Sequence, residues 1–204
     1  MRKLILKVSM SVDGFMAGPN GEMSWIAKSR SEEGAAWLVD TLWQAGLHVM
    51  GSRTFYTMAS HWPFSQDALA APMNAIPKMV FTSKDKLDLQ AKGLNTAGLK
   101  DTYVSPDAHT WAEAQIANGN LAEEIKKLKQ QPGKDILAQG GASFVQSLAA
   151  TGLIDEYRLV IHPVVLGTGM PVFSKLPQPS DLQLVEHVAF KAGTVVHIYR
   201  PLGN

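Results

Sequence analysis

Residues 135–149 read Asp-Ile-Leu-Ala-Gln-Gly-Gly-Ala-Ser-Phe-Val-Gln-Ser-Leu-Ala. The short run 136–139 has the length of a buried strand, while Phe144, Val145, Leu148 and Ala149 recur at helical spacing until Gly152 stops them. A strand that passes through Gly140-Gly141 directly into a helix is the start of a crossover between parallel strands. The same join occurs upstream, where the apolar run 47–50 reaches Gly51-Ser52-Arg53-Thr54 and a helical stretch containing Phe55, Tyr56 and Met58.

Leu4, Leu6, Val8 and Met10 alternate with Lys3, Ile5, Lys7 and Ser9, which predicts a first strand with one strongly apolar face. Asp13-Gly14 and Gly18-Pro19-Asn20-Gly21 then predict a long loop. Ser31 is placed to cap a helix with Glu32 and Glu33 in its first turn, and Gly46 is expected to end it. Further elements are expected as a strand over 77–83, an amphipathic helix over 120–131 with Glu123 and Lys127 four apart, and a strand from Tyr157 as far as Leu166. Two closing strands, about 182–190 and 194–200, flank a hairpin turn at Ala192-Gly193. The pattern is α/β: a mostly parallel sheet with antiparallel strands added at one edge. No repeat or linker divides the chain, so one domain spanning 1–204 is expected.

Of the 204 residues, 46% are hydrophobic and 18% charged, a balance that supports a sizeable core. Nineteen basic and eighteen acidic side chains leave a net charge of +1, too little to attract a nucleic acid. Without cysteine there is no disulfide, thiolate metal site or thiol nucleophile, which fits a reducing, cytoplasmic setting. Lys7 interrupts the first apolar run before it could act as a signal core, and no window suits a membrane span. The six histidines do not fall at the spacing of a helical metal pair, so no metal is expected.

Both glycine joins put free main-chain N–H groups at a helix start, where an anion is favoured and a phosphate can approach without meeting a Cβ. Arg53 and Lys84 could add charge-assisted contacts, and Ser52, Thr54, Thr82 and Ser83 could add hydroxyls. Neither join is a dinucleotide fingerprint or a Walker loop, which argues against ATP hydrolysis.

Five ordered blocks carry a family resemblance: Ser11-Val12-Asp13-Gly14-Phe15-Met16-Ala17, Met50-Gly51-Ser52-Arg53-Thr54, Val80-Phe81-Thr82-Ser83-Lys84, Gln139-Gly140-Gly141-Ala142-Ser143, and residues 163–173. With these the chain resembles the dihydrofolate reductase-like superfamily, in particular stand-alone relatives of the riboflavin-biosynthesis reductase domain. The resemblance implies a three-layer α/β/α fold and an NADPH-dependent reductase acting on a small heterocyclic substrate, a pterin, pyrimidine or related molecule. The alternative is a nucleotide- or flavin-binding protein without reductase activity. It implies that Ala17, Gly51, Ser52, Arg53, Thr54, Thr82, Ser83, Lys84, Gly140, Gly141, Ala142, Ser143 and Phe144 bind the cofactor, with Arg53, Ser83 and Lys84 at the 2′-phosphate and a cis peptide at Gly140-Gly141.

Asp13 is the expected catalytic or substrate-positioning residue, with Glu33 the first-helix acid nearest the place where folate reductases hold the pteridine, and Asp40 a second acid farther along. Trp25 is expected to line the substrate pocket together with Trp37 and Phe144, and His162 to be a hydrogen-bonded strand histidine. Phe15 stands where riboflavin-pathway reductases carry a basic residue, Ser52 where relatives carry arginine, and Ala59-Ser60-His61-Trp62-Pro63 replaces their Asp-Asp-Pro stretch. A fused zinc deaminase domain is excluded by the lack of cysteine. Related stand-alone proteins are often dimeric, and the apolar residues from Val195 to Tyr199 suggest a homodimer edge.

Overall fold

The computed structural model describes residues 1–83, 87 and 103–203. An eight-stranded sheet runs through the molecule, with six parallel strands followed by two antiparallel ones at one side. In chain order the strands are β1 (Leu4–Ser11), β2 (Phe15–Ala17), β3 (Ala45–Gly51), β4 (Lys78–Phe81), β5 (Gln115–Ala117), β6 (Asp135–Gln139), β7 (Glu156–His162), β8 (Met170–Pro171), β9 (Leu182–Ala189) and β10 (Val195–Pro201). The spatial order is β5-β4-β3-β6-β1-β7-β10-β9, and β2 pairs with β8 in a small separate sheet.

Helices cover both faces. α1 (Glu32–Trp43), α2 (Ser52–Ala59), α3 (Ala70–Ala75) and α4 (His109–Ala112) lie on one side; α5 (Leu121–Gln130) and α6 (Ala142–Ala150) lie on the other. The alternation read in the first strand sorts the core: Leu4, Leu6 and Val8 pack with Ile125, Leu128, Val145 and Leu148, whereas Ile5 packs with Leu42, Phe55, Met73 and Trp111. Met50 and Met79 are buried, as their sequence contexts suggest.

The helix starts follow local chemistry. The Ser31 hydroxyl accepts the Gly34 amide, and the Asn120 side chain accepts the Glu123 amide. On α5 the ion pairs form at three-residue spacing, Glu123 with Lys126 and Glu124 with Lys127, rather than between Glu123 and Lys127.

Three boundaries differ from expectation. Gly46 does not end α1, which stops at Trp43; it lies inside β3, at a register shift between Ala45 and Leu47. β7 ends at His162, because Pro163 has no N–H to continue a ladder. The stretch from Val195 to Tyr199 is not an edge, since β10 is paired on both sides and the outer strand is β9.

Candidate active site

Because β4, β3, β6, β1 and β7 are parallel neighbours, their C-terminal ends open along one rim. Open α/β sheets bind ligands beyond such ends. The two glycine joins meet there. A Cβ on Gly141 would lie 3.1 Å from Thr54 Oγ1 and 3.7 Å from the Gly51 nitrogen; on Gly140 it would lie 2.8 Å from Thr54 Cγ2. One on Gly51 would lie 3.1 Å from Phe144 Cβ. Gly140 and Gly141 have φ of +61° and +81°, so the turn depends on left-handed backbone at two successive positions. No described peptide is cis, so the Gly140-Gly141 step achieves its turn through these dihedrals and not through the cis bond that the family resemblance implied.

α6 begins its ladder with the Val145 amide on the Gly141 carbonyl, which leaves the amides of Ala142, Ser143 and Phe144 outside the ladder. α2 presents Ser52, Arg53 and Thr54 in its first turn beside them, with Arg53 exposed and Ser52 and Thr54 half-buried. Phe81 stacks on Phe144 at 5.3 Å beneath the joins, and Thr82 and Ser83 follow from the end of β4. Lys84 lies outside the described residues. The cradle fits a pyrophosphate: main-chain donors, no Cβ in the way, and hydroxyls with a guanidinium at the margin.

A second construction closes the other side of the rim. The Asp13 carboxylate accepts the amides of Leu166 (3.1 Å) and Gly167 (2.7 Å). A hydrogen bond from Ser11 and these amides hold its pKa down at about 2, so it is an anion clamping two loops. Next to it, β2 carries the buried Ala17, paired with Met170 of β8; Gly169 approaches so closely that a Cβ there would lie 2.2 Å from the Ala17 carbonyl oxygen.

Under α1, the sheet shows a set of polar residues of which the sequence reading assigned only His162, as a hydrogen-bonded strand histidine. By alternation Lys7 faces the same side as Ile5, and Arg158 and His162 face the same side as Val160. Lys7 stands between Gln139 of β6 and Arg158 of β7 in the strand register. Burial lowers its pKa to about 8. Glu156 is buried and already held by Arg158 and Arg200. His162 is buried, with Nδ1 2.7 Å from Ser29 Oγ and its ring edge-to-face with Trp25 at 5.4 Å. Burial, then the nearby Lys7 charge, lowers its pKa to about 4.

Trp25, in a 3-10 turn over Ser24–Ser29, is thus brought to this face, as is Trp37, which packs on Phe190. Glu33 is exposed on α1 and pairs with Lys191 at 3.4 Å, and Asp40 is exposed as well. Lys7 carried one available signal: a charged residue inside the first strand, flanked by the apolar Leu6 and Val8.

The model of the RibD C-terminal domain family matches residues 2–196. The uncharacterized Bacillus subtilis protein YyaP is 31% identical over 198 residues, covering 97% of this chain and 94% of that protein. Among solved structures, a pyrimidine reductase-like protein from Corynebacterium diphtheriae superposes with a TM-score of 0.67 at 15% identity, over 100% of this chain and 93% of that one. A dihydrofolate reductase from Enterococcus faecalis, complexed with NADP(H), superposes with a TM-score of 0.60 at 13% identity, over 98% and 96%. The fold is therefore dihydrofolate reductase-like, three-layered as expected.

Proposed function

The chain belongs to the RibD C-terminal domain family, and from that membership we propose that it is an NADPH-dependent reductase of a small heterocyclic substrate, of pterin or pyrimidine kind. The observation that carries the reading is the contact of the two glycine joins, which puts two sets of free amides within reach of one pyrophosphate. NADPH, when bound, supplies hydride. In this reading the chain's own residues do the rest: the amides of Ala142, Ser143 and Phe144 and the hydroxyls of Ser52 and Thr54 take the phosphates, and Arg53 with Ser83 takes the 2′-phosphate. Phe144 supports the cradle from below, and the Asp13 clamp and Trp25 limit water at the substrate side.

A second reading, a nucleotide- or flavin-binding protein without turnover, is favoured by one observation: Asp13 is committed to main-chain amides and Glu33 points to solvent. Titration with NADPH and NADH, followed by addition of dihydrofolate, pterins and flavins while the reduced nicotinamide absorbance is monitored, separates the two. Saturable NADPH binding with oxidation is expected; binding without oxidation by any of them supports the second reading, and no binding removes both the cofactor and the cradle assignment. Both readings take the protein as a homodimer paired along β9, whose free edge carries exposed Leu184 and Val185.

A further inference from the structure

Of the six histidines, only His187 and His197 are strand partners, directly opposite each other on the antiparallel β9 and β10. Helical spacing does not reveal them, because register and not periodicity brings them together. Opposed residues share a face of the sheet, with Cβ atoms about 4.5–5.5 Å apart. His197 also pairs with Leu159 of β7, and Tyr199 with Tyr157, so both histidines stand on the side of the sheet away from α1. The ring of His187 is exposed and meets no hydrogen-bond partner among the described residues. The His197 ring is held: its Nδ1 lies 3.2 Å from the Tyr199 hydroxyl, and the two rings pack edge-to-face at 5.7 Å. Tyr199 in turn packs against the core. A hydroxyl accepts as readily as it donates, so a ligand on Nε2 leaves that bond intact with Nδ1–H as donor. Metal-binding imidazoles are fixed by such an outer partner. Glu186, the one carboxylate on the two strands, pairs with Ile198 and faces the α1 side.

We propose that His187 and His197 form a two-imidazole site for a divalent transition cation, zinc, copper or nickel, that staples the outer strand β9 to its one neighbour among the described strands, β10. An imidazole extends beyond its Cβ by more than half the separation of the two Cβ atoms. Side-chain rotation alone therefore brings a nitrogen of each ring to about 2.0–2.1 Å from one ion. Among the described residues no third histidine or acid completes a metal-binding group, so water takes the remaining positions. Nitrogen donors without carboxylates select against magnesium and calcium. Two imidazolium rings so placed repel each other, whereas a shared cation turns the same pair into a link. The site lies on the face of the sheet and is independent of the reductase reading and of pairing along the edge of β9.

The test uses the full, untagged chain with the chlorides of zinc, copper(II) and magnesium. Calorimetry is expected to give one zinc ion per chain that excess magnesium does not displace, and zinc should raise the melting temperature by mass action. Electron paramagnetic resonance of the copper form should show two coordinated imidazole nitrogens. Loss of an outer partner costs about 10–100-fold in metal affinity, and loss of a ligand no less. His187→Gln and His197→Gln should therefore each weaken zinc binding by about tenfold or more, and Tyr199→Phe by about tenfold. The double variant His61→Gln/His109→Gln removes two other exposed histidines and should bind zinc as the wild type does. Metal-free melts of every variant verify that it is folded. Absent zinc binding, affinity within about twofold of wild type in His187→Gln or His197→Gln, an equal loss in the double control, displacement by magnesium, or a single copper-bound nitrogen each overturns the site. Unchanged affinity in Tyr199→Phe overturns the orienting role of that hydroxyl.

Discussion

Replacing Gly141 with alanine adds a single methyl group at the point where the two joins converge. At φ of +81° an L-residue is strained by about 1–2 kcal/mol, which for a chain of this size lowers the melting temperature by roughly 2–8 °C. The new Cβ, 3.1 Å from Thr54 Oγ1, obliges that side chain to give way, and at 3.7 Å from the Gly51 nitrogen it stands on the proposed approach of a phosphate oxygen. Loss of one hydrogen bond to a charged phosphate, about 1.5–3 kcal/mol, weakens NADPH binding about 10- to 150-fold. Gly141→Val should abolish it. Gly152 supplies the control: its φ is +67° and a Cβ there meets nothing within 4 Å, so Gly152→Ala carries the backbone strain without touching the cradle. The assay pairs thermal melts with NADPH fluorescence titrations. If Gly141→Ala binds NADPH within twofold of wild type, or if Gly152→Ala loses affinity as much, the pyrophosphate does not sit at this join.

Arg53→Ala should weaken NADPH about tenfold while sparing NADH, because only the former brings a 2′-phosphate; equal losses in paired titrations would show that Arg53 does not read that group. The folded-state pKa of Asp13 is depressed to about 2, so its stabilising effect is present above the ordinary aspartate range near 4 and is lost as pH falls from about 4 towards 2. Denaturant melts across that interval should show a smaller pH dependence in Asp13→Asn, and an identical dependence would deny the clamp. Leu184→Lys places a charge on the free edge of β9 and should shift the protein from dimer to monomer in light scattering, whereas an unchanged mass would place the interface elsewhere.

The parallel sheet was legible because its signals are local: 136–139 and 47–50 each run into glycine and then into helical spacing, and the closing hairpin is marked by Gly193. The short pairing of Phe15–Ala17 with Met170–Pro171 was not, since three residues against two have no periodicity and the pairing joins segments remote in sequence. Strand order was similarly hidden. Nothing local says that β10 is flanked on both sides while β9 is not, so the apolar stretch of β10 was read as an edge although it was apolar for the opposite reason, burial. At the site, glycines announced the cradle because backbone geometry restricts which residues can stand there. The polar face under α1 gave no such notice: Lys7 and Arg158 become neighbours only through the β1–β7 pairing, and Ser29 reaches His162 across 133 positions.

The position of β6 has a consequence for the order in which the chain can mature on the ribosome. β1 is made first, yet its partners are β6 and β7, so the opening strand stays without a neighbour until at least two-thirds of the polypeptide has emerged. Such long-range pairing delays folding, and a nascent chain halted before β6 has a gap where its central strand belongs. The strand that fills that gap ends at Gln139, directly before Gly140, so the proposed dinucleotide cradle is completed together with that part of the sheet. If the proposed cofactor site is real, a cofactor added during synthesis should bind only to chains whose central gap has closed.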